Sequence, residues 1–341
     1  MTGWQSLKKV PPQFSIKFLF KIFFFSTFTL FLILTGPNCR KEKEVELTVI
    51  HAGSLSVPFK QAAQAFTAEY PSVKVNLESH GSLTCARRII DLGQKVDVFG
   101  SADSAVIRSL LIPEHASYCI DFASNEMVIM YRPQSLLSDK ITLDNWYDIL
   151  LNPDVEYGRS EPNSDPCGYR TLLSWQLAEA YYNHPGLYQK LEKNCPPANI
   201  RPKEVDLLAL LETGELDYIF IYRSVAHQHG GLYLELPQAV NLGSPQWEDF
   251  YRRASVEIQG KTPEEKIIRQ GAPMIYGLTV LRNAPNPEWG VRFAAFLLGA
   301  EGCRIMEKNG QPVLKPPRVD NFEALPAELK KLVDPDGGYN Q

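Results

Sequence analysis

The sequence predicts an α/β chain of about two domains whose first part is a doubly wound parallel sheet. Two observations carry this. Three apolar strand-like runs follow one another, each passing through a glycine- or serine-bearing loop into a helical pattern, and such alternation means parallel strands joined by helical crossovers. The chain has 341 residues, 44% of them hydrophobic and 22% charged, which suits about two folded cores.

The first unit is the one around which the rest is organised. Residues 46–51 read as a strand that stops at Ala52-Gly53-Ser54, and Ser56-Val57-Pro58 then opens a helical pattern. Ser56 is a natural N-cap, and a proline just inside a helix start loses no needed hydrogen bond. The helix runs from Phe59 to Tyr70, with Phe59, Ala62, Ala63 and Phe66 on one face, and Pro71 ends it. The second unit is the strand Val73–Glu78, the turn His80-Gly81-Ser82 and a helix Leu83–Leu92 closed by Gly93. The third is Val96–Phe99, then Gly100-Ser101-Ala102-Asp103 and a helix to Leu111. Helix N-termini offer free N–H groups and positive partial charge, so loops of this kind suit an anion. Ligands of doubly wound sheets bind at the carboxyl ends of the strands, where these loops lie.

Asn125–Tyr131 reads as an apolar strand stopping at Pro133, where a crossing into a second lobe is expected. The Pro- and Asn-rich stretch Glu161–Gly168 then opens a helix from Tyr169 to Tyr182, with Asp165 at its N-cap, Pro166 at the first helical position, and Leu172, Leu173, Leu177, Ala180 and Tyr181 on its apolar face. Residues 183–201 read as loop. Pro202-Lys203-Glu204 starts a helix through Leu211 that Gly214 ends, and strands follow at Leu216–Tyr222 and Leu232–Leu236. Met274–Val280 reads as the return crossing, with helices at Glu288–Leu298 and Gly302–Lys308 packing back on the first lobe. The expected division is 1–45 as export segment and polar tether, 46–131 and 274–341 as the two parts of lobe 1, and 132–273 as lobe 2.

The first 45 residues have another character. Lys8, Lys9, Lys17 and Lys21 precede the uncharged run Ile22–Leu34, and Gly36-Pro37-Asn38-Cys39 follows, the pattern of an export signal. The run is shorter than the ~20 apolar residues a membrane span needs. Cys39 stands where a lipoprotein cysteine would, with Asn38 an unfavourable residue before it, so an anchoring lipid and a plain cleaved signal both stay open. Loss of residues 1–38 leaves 31 basic against 39 acidic residues, a net charge of −8, which argues against a nucleic-acid partner. Beyond Cys39 stand Cys85, Cys119, Cys167, Cys195 and Cys303, an odd number without zinc-type spacing. His227-Gln228-His229 lacks a third ligand and reads as a solvated loop.

Four motifs in order carry a resemblance: His51-Ala52-Gly53-Ser54-Leu55-Ser56, Gly81-Ser82, Ser164-Asp165-Pro166-Cys167-Gly168-Tyr169-Arg170 and Phe220-Ile221-Tyr222-Arg223-Ser224-Val225-Ala226. Over about residues 46–315 the chain resembles the tungstate/molybdate-binding proteins of ABC importers, in their archaeal-type branch. The resemblance implies a two-lobe periplasmic-binding-protein type II fold, each lobe a mainly parallel sheet flanked by helices, with two crossing hinge strands. It places the oxyanion against Gly53, Ser54, Ser82, Asp165, Pro166, Cys167, Glu204 and Tyr222, with the carboxylates of Asp165 and Glu204 approaching the molybdenum or tungsten itself. It further implies an exported, periplasmic or lipid-anchored monomer, without cofactor or catalytic group, that delivers its oxyanion to an ABC permease.

Elementary chemistry stands beside it. A tetrahedral dianion needs several fixed N–H and O–H donors in a dry cleft. A carboxylate next to a dianion repels it unless it coordinates a Lewis-acidic centre, and hard oxygen ligands suit high-valent molybdenum or tungsten. Two alternatives remain open: a binding protein for sulfate, phosphate or an organic anion, and a hydrolase using Cys167 or Ser54 with His51, His80 or His184 as base.

Overall fold

The computed structural model describes residues 1–2, 44–262 and 264–335, so the expected export segment and Cys39 lie outside the described residues. The chain divides into two units between Glu44 and Val45, and all the elements named below belong to the second.

Two sheets organise that unit. The first contains β1 (Val45–Ala52), β2 (Val73–His80), β3 (Val98–Ser101), β4 (Ile120–Ser124), β12 (Ile275–Val280) and β13 (Val313–Val319), in the order β13-β4-β12-β3-β1-β2. The second contains β5 (Met127–Tyr131), β6 (Tyr157–Ser160), β7 (Ile200–Arg201), β8 (Tyr218–Tyr222) and β9 (Leu232–Glu235), in the order β7-β6-β8-β5-β9. β1 pairs in parallel with β2 and β3, whereas β12 is antiparallel to both β3 and β4, and β13 to β4. In the second sheet β6 is parallel to β7 and β8, and β5 is antiparallel to β8 and β9. Four strands of each sheet therefore share one direction, so both sheets are mainly parallel, as expected. The antiparallel strand inside each one, β12 or β5, is the strand that arrives from the other sheet.

The change of sheet falls earlier than the crossing read at Pro133. β4 ends at Ser124, and β5, taken from sequence as the end of the first lobe, pairs with β8 and β9. The cause is Asn125, whose Oδ1 accepts from the backbone N–H groups of Glu126 (3.0 Å) and Ser224 (3.3 Å) and so turns the chain between the sheets. A continuous apolar run conceals such a turn.

Helices cover the sheets. α1 (Ser56–Glu69) buries Phe59, Ala62, Ala63 and Phe66, as its spacing predicts, and Phe66 meets Phe293 edge-on at 5.2 Å. Ser56 is not its N-cap: a 3₁₀ turn, Gly53–Leu55, starts directly after β1, and the Ser56 hydroxyl instead bonds that of Ser79 at 3.0 Å. α2 (Ser82–Asp91) follows β2, and Gly93 beyond its end has φ +58°. α3 (Pro166–Tyr181) is buried on nearly every side through Ala178, whereas Ala180 and Tyr181, expected on its apolar face, are exposed where the helix leaves the core. α4 (Leu207–Thr213) follows a 3₁₀ turn Glu204–Asp206 and stops at Gly214, φ +85°. α5 (Arg223–Gln228) follows β8, with His227 and His229 exposed at its end.

Several elements carried no sequence signal: β4, β6 and α5 are too short to show a period, and the stretch 183–201, read as loop, holds a helix Leu187–Lys193 and β7. β13 contains Pro316-Pro317, which reads as non-strand, and it is tolerated because it lies at the sheet edge. The hairpin of β10 (Ser255–Gln259) and β11 (Lys266–Gln270) stands outside both sheets. Among the described residues no helix is long and apolar enough to cross a membrane.

Candidate functional site

The loops at the carboxyl ends of five strands converge between the sheets. Those after β1 and β2 bring Gly53-Ser54 and Ser82, and those after β6, β7 and β8 bring Asp165-Pro166-Cys167, Glu204 and Tyr222. Ser54, Ser82, Cys167 and Tyr222 have no exposed surface, and Asp165 and Glu204 have 1%. The structure thus brings the eight residues implied by the resemblance together as buried residues of neighbouring loops, whereas His184, read as a candidate base, lies against Tyr147.

The carboxylates form the centre of the site. Asp165 caps α3 with Pro166 in the first turn, as expected: Oδ1 accepts from the Cys167 N–H at 3.2 Å. Its Oδ2 accepts from the Glu204 N–H at 2.8 Å, which ties the start of the Glu204 turn to the start of α3. The side chain of Glu204 is different, for both of its carboxylate oxygens are buried without a hydrogen-bond partner. They lie against Gly53, where an added Cβ would stand 2.9 Å from Oε2 and 3.1 Å from Oε1, so a larger residue has to displace the carboxylate. Burial, then the charge of Asp165, push the Glu204 carboxyl well above its ordinary range, and burial raises that of Asp165 as well. Gly81 is more tightly constrained, since its Cβ would fall 2.2 Å from the backbone carbonyl oxygen of Ser164 across the cleft. That same oxygen accepts from the Thr84 N–H at 3.2 Å.

Three hydroxyls surround the carboxylates. Ser54 Oγ accepts from the Tyr276 hydroxyl at 2.9 Å, and Ser82 Oγ from the Ala102 N–H at 3.0 Å. Tyr222 Oη accepts from Arg170 Nη1 at 3.0 Å. Arg170 also donates to the Ala102 carbonyl at 2.7 Å and approaches Asp103 at 3.7 Å, joining α3 to the loop after β3. Asp103 in turn accepts from the Tyr169 hydroxyl and from the Ala105 N–H.

Sequence reasoning missed Arg170, Tyr276, Asn125 and Asp103 as members of this site. Arg170 and Asp103 stood inside quoted loops or motifs, and four residues after Pro166 is one helical turn, which puts Arg170 on the face of the cap. Tyr276 had no signal, because its role depends on the return strand passing beside β4.

Comparison with known proteins identifies the family and the fold. Residues 47–311 match the family described as bacterial extracellular solute-binding protein. The chain belongs to this family. A solute-binding protein of Petrotoga mobilis is 52% identical, covering 92% of this chain and 98% of its own length. The molybdate/tungstate-binding protein WtpA of Thermococcus kodakarensis is 38% identical over 86% of this chain and 88% of its own. Among solved structures, the periplasmic molybdate-binding protein of Azotobacter vinelandii superposes with a TM-score of 0.57 at 16% identity, covering 78% of this chain and 98% of the other. The sulfate-binding protein SubI of Mycobacterium tuberculosis gives 0.56 at 14% identity, covering 80% and 88%. The last two share the periplasmic-binding-protein fold with this solute-binding protein.

Proposed function

We propose that this solute-binding protein captures tungstate or molybdate and passes it to an ABC importer, with Gly53, Ser54, Ser82 and Tyr222 donating to the oxyanion, Cys167 lining the site while its N–H holds Asp165, and the Asp165 and Glu204 carboxylates turned to the metal. The observation that carries this reading is Glu204: a buried carboxylate with no hydrogen-bond partner, seated on the Gly53 backbone beside a second carboxylate. Such a group is costly to keep unless a ligand compensates it. A high-valent metal centre with room for further oxygen ligands does so, whereas the sulfur of sulfate cannot. The 38% identity to a molybdate/tungstate-binding protein supports the same class of ligand.

In this reading the two sheets belong to two lobes that close on the ligand, and Pro166 contributes by starting α3. The chain acts outside the cytoplasmic membrane as a monomer, with a permease as its partner and a lipid on Cys39 as one means of tethering. It has no catalytic role. Cys167 Sγ donates to the Phe220 carbonyl at 3.7 Å and burial pushes its thiol well above its ordinary range, while Ser54 Oγ is engaged by Tyr276, so neither is an activated nucleophile.

Calorimetric titration of the mature protein with tungstate, molybdate and sulfate at matched ionic strength tests the proposal. Tight binding of the first two without sulfate is expected. Sulfate binding alone would leave the fold and remove the metal-coordinating role.

A further inference from the structure

The three hydroxyls of the site share a feature that their positions alone do not require: each oxygen accepts from a group inside the protein, and the direction of that bond is set, directly or through one relay, by a group that can only donate. A backbone N–H, a guanidinium and a primary amide nitrogen can only donate, so they fix the direction of every hydrogen bond beyond them. At Ser82 the fixed donor is the Ala102 N–H, and at Tyr222 it is Arg170. At Ser54 it acts through a relay. The orientation of the Asn125 amide is set because its Oδ1 accepts from two backbone N–H groups, those of Glu126 and Ser224. Its Nδ2 must therefore donate, and it does so to Ser224 Oγ at 2.7 Å and Tyr276 Oη at 3.0 Å, with a longer approach to Gln311 Oε1 at 3.4 Å. With its oxygen so engaged, Tyr276 gives its own hydrogen to Ser54 Oγ at 2.9 Å. The Ser54 hydrogen is left for the cleft.

We propose that Asn125, acting through Tyr276, is a positioning residue that turns the Ser54 hydroxyl hydrogen onto the ligand, as Arg170 does for Tyr222, so that each hydroxyl accepts from the protein and presents its hydrogen to the ligand. The acceptors left in the site are the carboxylates of Asp165 and Glu204. The ligand class that fits presents bare, unprotonated oxygens to the hydroxyls and an electron-poor centre to the carboxylates, which deepens the proposed function and rests on it. The relay also starts where the chain changes sheet, so the residue that makes the turn and the residue that orients Ser54 are the same.

The sharp variant is Asn125→Asp. It keeps the shape and the acceptor for the two backbone N–H groups but replaces the donor with an acceptor, drawing the Tyr276 hydrogen away from Ser54 and reversing the relay. Tungstate titrations are made on the wild type, on Asn125→Asp, and on the same substitution in Ser54→Ala and Tyr276→Phe backgrounds, with ligand-free thermal unfolding as the folding check. The expected result is a loss of about tenfold in affinity from Asn125→Asp in the wild type. In either background, where no hydrogen remains to be turned, the change is expected to be less than about twofold. An equal loss in all three backgrounds overturns the assignment, because Asn125 then acts by packing alone. Should Asn125→Asp not fold, Tyr276→Phe takes its place: a loss in the wild type that vanishes in Ser54→Ala supports the relay, and one that persists overturns it. A wild type that binds neither tungstate nor molybdate overturns the functional reading, and this assignment with it.

Discussion

The two sheets put one topology to opposite chemical uses. In each, the first strand lies between the second and third, and an antiparallel strand from the other sheet separates the third from the fourth. The loops can therefore be compared position by position. After the first strand, one sheet carries Gly53-Ser54 and the other Asp165-Pro166-Cys167; after the second, one carries Ser82 and the other Glu204; after the third, one carries Ala102-Asp103 and the other Tyr222. The first sheet supplies small donors and bare backbone, while the second supplies both carboxylates. The positive helix starts of the scaffold suit an anion from either side. The Asp103 carboxylate of the first sheet faces Arg170 at 3.7 Å, whereas Asp165 and Glu204, which face no such cation among the described residues, ask for something more than an anion and come from the second sheet only.

Removing the asymmetry has the largest expected effect. Glu204→Gln keeps the shape and the buried contact with Gly53 but takes away the charge and one oxygen. Tungstate affinity is expected to fall roughly a hundredfold, as for loss of a metal-positioning group. Titration of the variant beside the wild type checks this, and an unchanged tungstate affinity would make Glu204 a packing residue.

A smaller effect is expected where the two sides touch. In Gly53→Ala the added methyl meets a carboxylate that is itself walled in, with 2.9 Å to Oε2. Overpacking of this kind costs about 1–3 kcal/mol. Chemical denaturation should show that loss in the ligand-free protein, together with weaker tungstate binding; an unchanged midpoint would mean that Glu204 swings aside freely.

The smallest effect concerns pH. Burial and Asp165 hold the folded-state Glu204 carboxyl above its unfolded value, so the folded protein keeps this proton where the unfolded chain has lost it. The stability contributed is full below about pH 4, the ordinary carboxylate range, and is lost as pH rises through the raised value. Ligand-free Glu204→Gln should therefore be more stable than the wild type at about pH 7.5, by about 1 kcal/mol or more, and the gain should shrink toward about pH 4. Thermal unfolding across that interval reads the difference, and a gain independent of pH would contradict it.

How far the sequence carried these conclusions follows from the range of the interactions. The Asp165 cap, the Gly93 and Gly214 helix ends, and the strand-to-helix order of the first three strands depend on neighbours a few residues apart, and so were readable, whereas the short strands β6 and β7 of the second sheet carried no alternation long enough to show. The motifs named the loops that meet, but not that Glu204 rests on Gly53, a contact across 151 positions. Asn125 and Tyr276, equally far apart, carried no local pattern, because their value lies in a hydrogen-bond direction fixed by Ser224 and Glu126. The sheet change at Asn125 was hidden for the same reason. The 3₁₀ turn at Gly53 displaced the Ser56 cap, since a serine four residues past a strand end looks the same whether or not a short turn precedes it.

The most direct test of the central claim is X-ray absorption at tungsten bound to the wild-type protein. The account predicts a six-coordinate oxygen shell, with two carboxylate oxygens beyond those of the oxyanion, that shrinks in Glu204→Gln. An undistorted tetrahedral shell in the wild type would contradict it, leaving Asp165 and Glu204 as caps in a site that holds its ligand by hydrogen bonds alone.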